Sequence, residues 1–167
     1  CVQSYYQASR NIEIDQPKLA GESETDVCII GGGYTGLSSA LYLANEGVNV
    51  VLIESNTIAS GASGVNGGQV SGGMRRDQFY LEKTLGFDYA KVLWSIGEQA
   101  KYHAKDLIDK YQIQCDYKKG IAHPNHKQKY CEESKQYVDH MIQKYDYKDM
   151  VYLSDSEMRE VVGSDNY

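Results

Sequence analysis

The sequence has little of several features that define common functional classes. Positive charge is in deficit, with 17 Lys and Arg against 23 Asp and Glu and a formal net charge of −6. Because binding to a nucleic-acid backbone requires clustered positive charge, this balance argues against a nucleic-acid partner. The apolar runs are far shorter than the roughly 20 residues that a transmembrane helix needs, so we expect no membrane span.

Cysteine is scarce and scattered. The four cysteines, at positions 1, 28, 115 and 131, form no Cys-x-x-Cys pair and have no spacing typical of metal ligands. We therefore predict no metal site. Cys28 lies within an apolar run, where a buried, reduced thiol is the usual state. With no recognisable signal peptide, this cysteine usage indicates a reducing, cytoplasmic location.

Residues 26–54 have the pattern of a strand, a helix and a second strand. Asp26–Ile30 is a short apolar run with the length of a buried parallel strand. Leu37–Asn45 repeats apolar residues at helical spacing, and Gly47 stands where a helix is expected to end. Residues 48–54 form a second apolar run. This order predicts a βαβ unit.

The first predicted strand runs directly into Gly-x-Gly-x-x-Gly, formed by Gly31, Gly33 and Gly36. In dinucleotide-binding folds these glycines permit a tight turn, a close approach of the backbone to a pyrophosphate, and close packing of helix on strand. The first helical amides then point at the phosphates. Glu54 ends the second strand, 18 residues after Gly36, where a carboxylate binds ribose hydroxyls and repels a 2′-phosphate. These residues predict a site for NAD or FAD and disfavour NADP.

The loop after the second strand favours FAD over NAD. Residues 60–73 read SGASGVNGGQVSGG, with six glycines, three serines and no charged residue. Alone, this composition is typical of a flexible linker. Placed soon after Glu54, it offers many backbone amides and no bulk, which suits a backbone that wraps phosphates and passes close to a flavin ring. A plain NAD domain would continue with a helix and a strand at this point.

Two segments carry a resemblance to a known family. DVCIIGGGYTGLSSALYLANEGVNVVLIE and IASGASGVNGGQ resemble the D-amino-acid-oxidase-like superfamily of FAD-dependent oxidoreductases. Within it, the similarity is greatest to the gamma-glutamylputrescine oxidoreductases, which SYYQAS and IQCDYKKGIAH also resemble. The resemblance implies FAD as cofactor and a small-molecule amine or amino-acid-like substrate. It implies oxidation of a C–N bond to an imine, with oxygen as the final acceptor.

The resemblance also implies a set of cofactor-binding residues, while no catalytic residue is identified. Those residues are Gly31, Gly33, Tyr34, Thr35 and Gly36 at the pyrophosphate, Glu54 and the neighbouring Ser55 at the adenosine ribose, and Ala62, Ser63, Asn66, Gly67, Gly68 and Gln69 along the phosphates and flavin. One position departs from the family pattern. The similar enzymes carry Arg in GASGRNGGQ, where this chain has Val65, so a long cation near the cofactor is missing.

The expected architecture is α/β, with a Rossmann-like FAD-binding βαβ unit and a partial α+β substrate domain. We expect an arm over residues 1–25, the βαβ unit and Gly-rich loop over 26–76, and a helical segment with the start of the substrate domain over 77–167. The resembling enzymes run to several hundred residues, so we expect an N-terminal fragment that is inactive by itself. An incomplete sheet would carry an unpaired edge, where we expect self-association.

The second half of the chain is predicted to mix helices and strands. The predicted elements are one long amphipathic helix over 77–111, a strand over 113–122, a turn over 123–126, a helix over 127–145 and a strand over 150–153. Ser154 and Glu157 then form a capping-box pattern that predicts a last helix.

Two other hypotheses remain open from the residues. The first is a non-catalytic nucleotide-binding or interaction module that kept the βαβ scaffold, favoured by Val65 and by the short chain. The second is an NAD-dependent dehydrogenase. Titration with FAD discriminates among them, because only a competent flavin site shifts the flavin spectrum.

Overall fold

The computed structural model describes residues 4–164, which mix helices with a small parallel sheet. The chain divides into two compact units, Cys1–Gln69 and Val70–Tyr167. The domain boundaries expected from the sequence, after residues 25 and 76, remain predictions.

The first unit contains the predicted βαβ arrangement. After a short helix, α1 (Tyr5–Ser9), come the strand β1 (Val27–Ile30), the helix α2 (Tyr34–Asn45) and the strand β2 (Val50–Ile53). The strands pair in parallel, with Val27 opposite Val50, and α2 packs against both. Gly47 follows α2 with a φ of +79°, a backbone conformation that favours glycine at a helix end. The predicted strand, helix and strand are confirmed.

The sheet is less covered than the sequence predicts. Cys28 is exposed, and Ile30 is 84% exposed, whereas the alternating Val27 and Ile29 are half-buried. Successive side chains of a strand point to opposite faces. Within residues 4–69, α2 packs against the sheet, and on β1 the side chains of Cys28 and Ile30 remain exposed, while their β2 neighbours Val51 and Ile53 are half-buried. The expectation of a buried Cys28 is therefore wrong for this structure.

The described part of the second unit is helical. Its helices are α3 (Gln78–Leu85), α4 (Phe87–Tyr111), α5 (Gln128–Tyr145) and α6 (Asp155–Val162). The helix predicted over 127–145 is confirmed as α5, and the last helix, predicted to begin after Ser154, is confirmed as α6. Although α4 has 25 residues, neither it nor any other helix within residues 4–164 is long and apolar enough to cross a bilayer.

Three predictions for this unit are corrected. Residues 77–111 form two helices, because Gly86 adopts a φ of +85° and ends α3. The Gly86 amide donates a hydrogen bond to the Glu82 carbonyl at 2.9 Å. The segments 113–122 and 150–153 are not strands. A strand must pair its backbone groups with a neighbour, and the described residues of this unit include no strand for them to join.

The start of α6 follows the predicted capping box. The Ser154 hydroxyl accepts a hydrogen bond from the Glu157 amide, and the Glu157 carboxylate accepts one from the Ser154 amide at 2.7 Å. Two otherwise unpaired helix-terminal amides are thereby satisfied. The pattern is local, which is why the sequence alone predicts it.

A buried amide joins three helices in the core of this unit. Gln78 on α3 is 1% exposed, while Ala90 on α4 and Met141 on α5 are fully buried. The Gln78 side-chain nitrogen donates to the Ala90 carbonyl at 2.9 Å and to the Tyr145 hydroxyl at 3.0 Å. That hydroxyl donates in turn to Glu82 at 2.7 Å. Both side-chain N–H groups of this buried amide are hydrogen-bonded, so its burial carries no unpaired donor. The bonds link α3 to specific groups on α4 and α5 in an otherwise apolar core.

The Tyr145 hydroxyl predicts a loss of stability at high pH. Burial, together with the hydrogen bond to Glu82, raises the pKa of Tyr145 to about 12. Tyrosines of an unfolded chain titrate at about 10. The contribution of Tyr145 to the free energy of unfolding is therefore complete below about pH 10 and is lost as the pH rises through 12.

Tyr145→Phe should flatten this decline, which urea unfolding between pH 9 and pH 12 measures. Tyr89→Phe, at a side chain that is 72% exposed, is the control and should keep the wild-type slope. Equal slopes for all three proteins would contradict the assignment to Tyr145.

Candidate cofactor-binding site

The Gly-rich turn between β1 and α2 requires its glycines for defined geometric reasons. Gly31 has a φ of +102°, in the region that side chains rarely adopt. A Cβ on Gly36 would lie 1.9 Å from the Gly31 carbonyl oxygen. The helix thus passes so close to the turn that no side chain fits at Gly36, which is the role that the sequence pattern predicts for the third glycine.

The amino end of α2 has amides without helical partners. The first intrahelical bond of this end runs from the Leu37 amide to the Gly33 carbonyl at 2.9 Å. The Tyr34 amide donates to the Ser63 hydroxyl at 3.0 Å. Within residues 4–164, the amides of Thr35 and Gly36 have no acceptor. Unpaired amides at the positive end of a helix dipole attract an anion, and a diphosphate is suited to this position.

Ser63 closes this helix end from a distance. Gly33 precedes α2 and has no side chain with which to cap it. A Cβ on Gly33 would lie 3.0 Å from the Ser63 hydroxyl oxygen, so the missing side chain admits the serine. The capping role of Ser63 escapes sequence reasoning, because its partner lies 29 residues away.

Glu54 folds back onto the turn. One carboxylate oxygen accepts from the Gly32 amide at 2.7 Å, and the other accepts from the Asn56 amide at 2.9 Å and from the Ser55 hydroxyl at 3.2 Å. The backbone hydrogen bonds from Gly32 and Asn56 lower the pKa of Glu54. The carboxylate is therefore an ionised acceptor beside the turn. Its expected partner, a ribose, would have to share or replace these donors.

The loop after β2 folds over the turn and is braced from within. The Ala59 amide donates to the Gly32 carbonyl at 2.9 Å. The Asn66 side-chain nitrogen donates to the Ser63 carbonyl at 2.9 Å and to the Tyr34 hydroxyl at 3.2 Å, and its oxygen accepts from the Gly68 amide at 2.8 Å. These bonds give the loop a defined shape, so the linker interpretation of its composition does not hold for residues 59–68.

Residues of the N-terminal arm also touch this loop. A Cβ on Gly68 would lie 2.4 Å from the Tyr6 hydroxyl oxygen, and Gly68 has a φ of +69°. The Gln16 side-chain oxygen accepts from the Ile58 amide at 3.4 Å. Sequence reasoning missed Tyr6 and Gln16, because they precede the fingerprint and match no motif. These contacts place the two residues of the arm against the loop.

The structure brings most of the predicted set together. Hydrogen bonds and close backbone contacts connect the residues of the turn, Glu54 with Ser55, and the loop residues Ser63, Asn66 and Gly68. Ala62, Gly67 and Gln69 lie on the exposed surface of the same loop. Val65, where the family pattern has Arg, is 64% exposed. The open amides, the absent side chains and the nearby carboxylate together fit a dinucleotide.

Comparison with known proteins identifies the class. A family model described as FAD dependent oxidoreductase, the DAO family, matches residues 26–167. The chain therefore belongs to the DAO family of FAD dependent oxidoreductases, which confirms the resemblance seen in the sequence and makes FAD the cofactor implied for this site.

Two relatives match the chain over almost its whole length. It is 39% identical, over 98% of its length, to the gamma-glutamylputrescine oxidoreductase of Escherichia coli. It is 34% identical, over 99% of its length, to the probable oxidoreductase OrdL of Haemophilus influenzae. A mitochondrial glycerol-3-phosphate dehydrogenase of Saccharomyces cerevisiae is 38% identical over 62% of this chain and 15% of its own length. The chain spans 38% of each of the first two relatives. No solved structure matches it significantly.

Proposed function

We propose that this protein is an FAD-dependent oxidoreductase that oxidises the C–N bond of an amine or amino-acid-like substrate to an imine, with oxygen as acceptor. The observation that carries the proposal is the open helix end. The amides of Thr35 and Gly36 lack acceptors within the described residues, and an ionised carboxylate, Glu54, lies beside the same turn. The amine substrate is suggested by the similarity to a gamma-glutamylputrescine oxidoreductase.

Each part of the site has a separate task in holding the cofactor. The pyrophosphate would be bound by the amides of Tyr34, Thr35 and Gly36. The Tyr34 amide would then either exchange its hydrogen bond to the Ser63 hydroxyl for one to the phosphate or donate to both. Glu54 would accept hydrogen bonds from the adenosine ribose. The braced loop from Ala62 to Gln69 would follow the phosphates and the flavin with its backbone. FAD, when bound, supplies the hydride acceptor, and the chain supplies its position.

Binding of FAD to the purified chain tests the proposal. We expect saturable binding with a shifted flavin absorption band and quenched flavin fluorescence. We also expect ADP to compete, because it carries the diphosphate and ribose that the turn and Glu54 recognise. Binding of ADP and NAD without any flavin response would instead support a non-catalytic nucleotide-binding module. Absence of all nucleotide binding would refute the proposed site in this chain.

Loss of the Glu54 carboxylate should weaken the binding of both FAD and ADP. A hydrogen bond to a charged group contributes enough to make Glu54→Ala bind about 10- to 100-fold more weakly. Isothermal titration measures both ligands. Glu46→Ala is the matched control, because Glu46 is an exposed residue at the far end of α2. If Glu54→Ala binds both ligands with wild-type affinity, Glu54 does not hold the ribose.

A further inference from the structure

The Gly72–Gly73 backbone lies in a groove on α4. Gly97 of α4 is buried, and a Cβ there would lie 2.6 Å from the Gly73 amide nitrogen and 2.7 Å from the Gly73 carbonyl oxygen. A Cβ on Gly73 would in turn lie 3.0 Å from the Trp94 ring. Helix and segment therefore meet backbone to backbone, and this contact requires glycine on both sides.

Glu98 forms the next part of the same groove. A Cβ on Gly72 would lie 1.6 Å from one Glu98 carboxylate oxygen. That oxygen is buried and has no hydrogen-bond partner within the described residues. The other oxygen accepts from the Lys101 ammonium at 2.6 Å. The carboxylate is thus held by Lys101 on one side and faces the Gly72 backbone on the other.

Lys101 fixes the carboxylate in this orientation. Its ammonium also donates to the Tyr147 hydroxyl at 3.1 Å, and the side chains of Lys101 and Glu98 are 16% and 14% exposed. Burial alone would lower the pKa of Lys101, but the hydrogen bonds to Glu98 and Tyr147 outweigh burial and raise it. Within the described residues, one Glu98 oxygen is therefore paired with Lys101, and the other faces Gly72.

We propose that Gly97 and Glu98 are positioning residues for the flavin-facing loop. Gly72 follows Gln69 by three residues and belongs to the second unit, so an anchor at Gly72–Gly73 would act on the loop that would pass the flavin through the connecting residues of the chain. The proposal rests on the proposed function. It predicts that the anchor supports the flavin part of the cofactor more than the ADP part, because the Gly-rich turn and Glu54 precede the loop in the chain.

Trp94 reports the anchor directly. It is the single tryptophan of the sequence, and its ring contacts the Gly73 position. We expect Gly97→Ala, which clashes with backbone atoms, to shift Trp94 emission to the red and to increase its quenching by acrylamide. Gly72→Ala clashes with the end of the Glu98 side chain and should have a smaller effect. Gly61→Ala, where a Cβ would meet nothing within 4 Å, should have none.

Affinities for FAD and ADP separate positioning from general damage. Gly97→Ala and Gly72→Ala should each lower the affinity for FAD about fivefold, because a loop without its anchor must be ordered on binding. The affinity for ADP should be unchanged. Equal losses for FAD and ADP, or unchanged Trp94 signals in folded Gly97→Ala and Gly72→Ala, would overturn the proposal. If the wild-type chain binds neither ligand, the proposed function fails for this chain, and Trp94 alone then decides whether the anchor exists.

Discussion

Gly36→Ala should abolish measurable FAD binding, with a loss of about 100-fold or more. The new Cβ would lie 1.9 Å from the Gly31 carbonyl oxygen, and that oxygen belongs to rigid backbone. Either α2 moves away from β1 or the turn opens, and both changes displace the amides that would bind the pyrophosphate. Because the diphosphate is common to both ligands, ADP should be lost together with FAD. Titration calorimetry measures the two affinities.

Glu46→Ala is the control for this experiment as well, because Glu46 is exposed at the far end of the same helix. Far-UV circular dichroism verifies that Gly36→Ala keeps its helices. Trp94 emission gives a second check, since Trp94 belongs to the other compact unit. A folded Gly36→Ala protein that retains FAD affinity would show that the turn is not the phosphate site.

Met141→Ala should cost about 2–5 kcal/mol of unfolding free energy, the usual range for removing a long apolar side chain from a core. Met141 is fully buried on α5, in the unit where Gln78 and Ala90 are also buried. The cavity left behind would have to be filled by movement of the helices that Gln78 links through hydrogen bonds. Urea unfolding followed by circular dichroism measures the change.

Ile142→Ala is the matched variant for Met141. The adjacent Ile142 is 37% exposed and loses less buried surface on truncation, so its cost should be less than half that of Met141→Ala. Equal costs would mean that α5 does not present Met141 to a close-packed core. A comparison of this kind is more secure than either value alone, because both variants share the same unfolded reference.

Local patterns in the sequence predict local structure well here. The capping box at Ser154 and Glu157 needs only residues three apart, and it forms as predicted. The Gly31–Gly36 fingerprint likewise specifies a turn between adjacent elements, and the resulting geometry excludes a side chain at Gly36. The strands on either side follow from continuous apolar runs. In each case the interactions that decide the outcome lie within one supersecondary unit.

Predictions failed where the outcome depends on distant partners. Alternation over 113–122 is compatible with a strand, but no described strand of that unit is present to pair with it. Gly86 lies within a helical pattern, and its positive φ divides α3 from α4, a choice that depends on how the two helices pack. Cys28 lies in an apolar run, yet burial requires a second layer over the sheet.

The candidate site divides along the same line. Gly31, Gly33 and Gly36 follow from the motif, and Glu54 follows from its place at the end of β2. Sequence patterns do not predict the hydrogen bond from Tyr34 to Ser63 or the contact of Tyr6 with Gly68, because no spacing rule connects residues so far apart. The family resemblance placed Ser63 and Gly68 near the cofactor without saying what they do to the loop.

Because Cys28 is exposed on the sheet, it can serve as a probe for chemical footprinting. Its thiol is exposed on the same face as Ile30, so a water-soluble maleimide can alkylate it in the folded chain. Any layer that packs against this face, whether another stretch of polypeptide or a second molecule, would shield the thiol and slow the reaction. Cys115, which is also exposed but lies in the other unit, would provide an internal reference. The rate of a single covalent reaction thereby becomes a measure of how completely the sheet is covered.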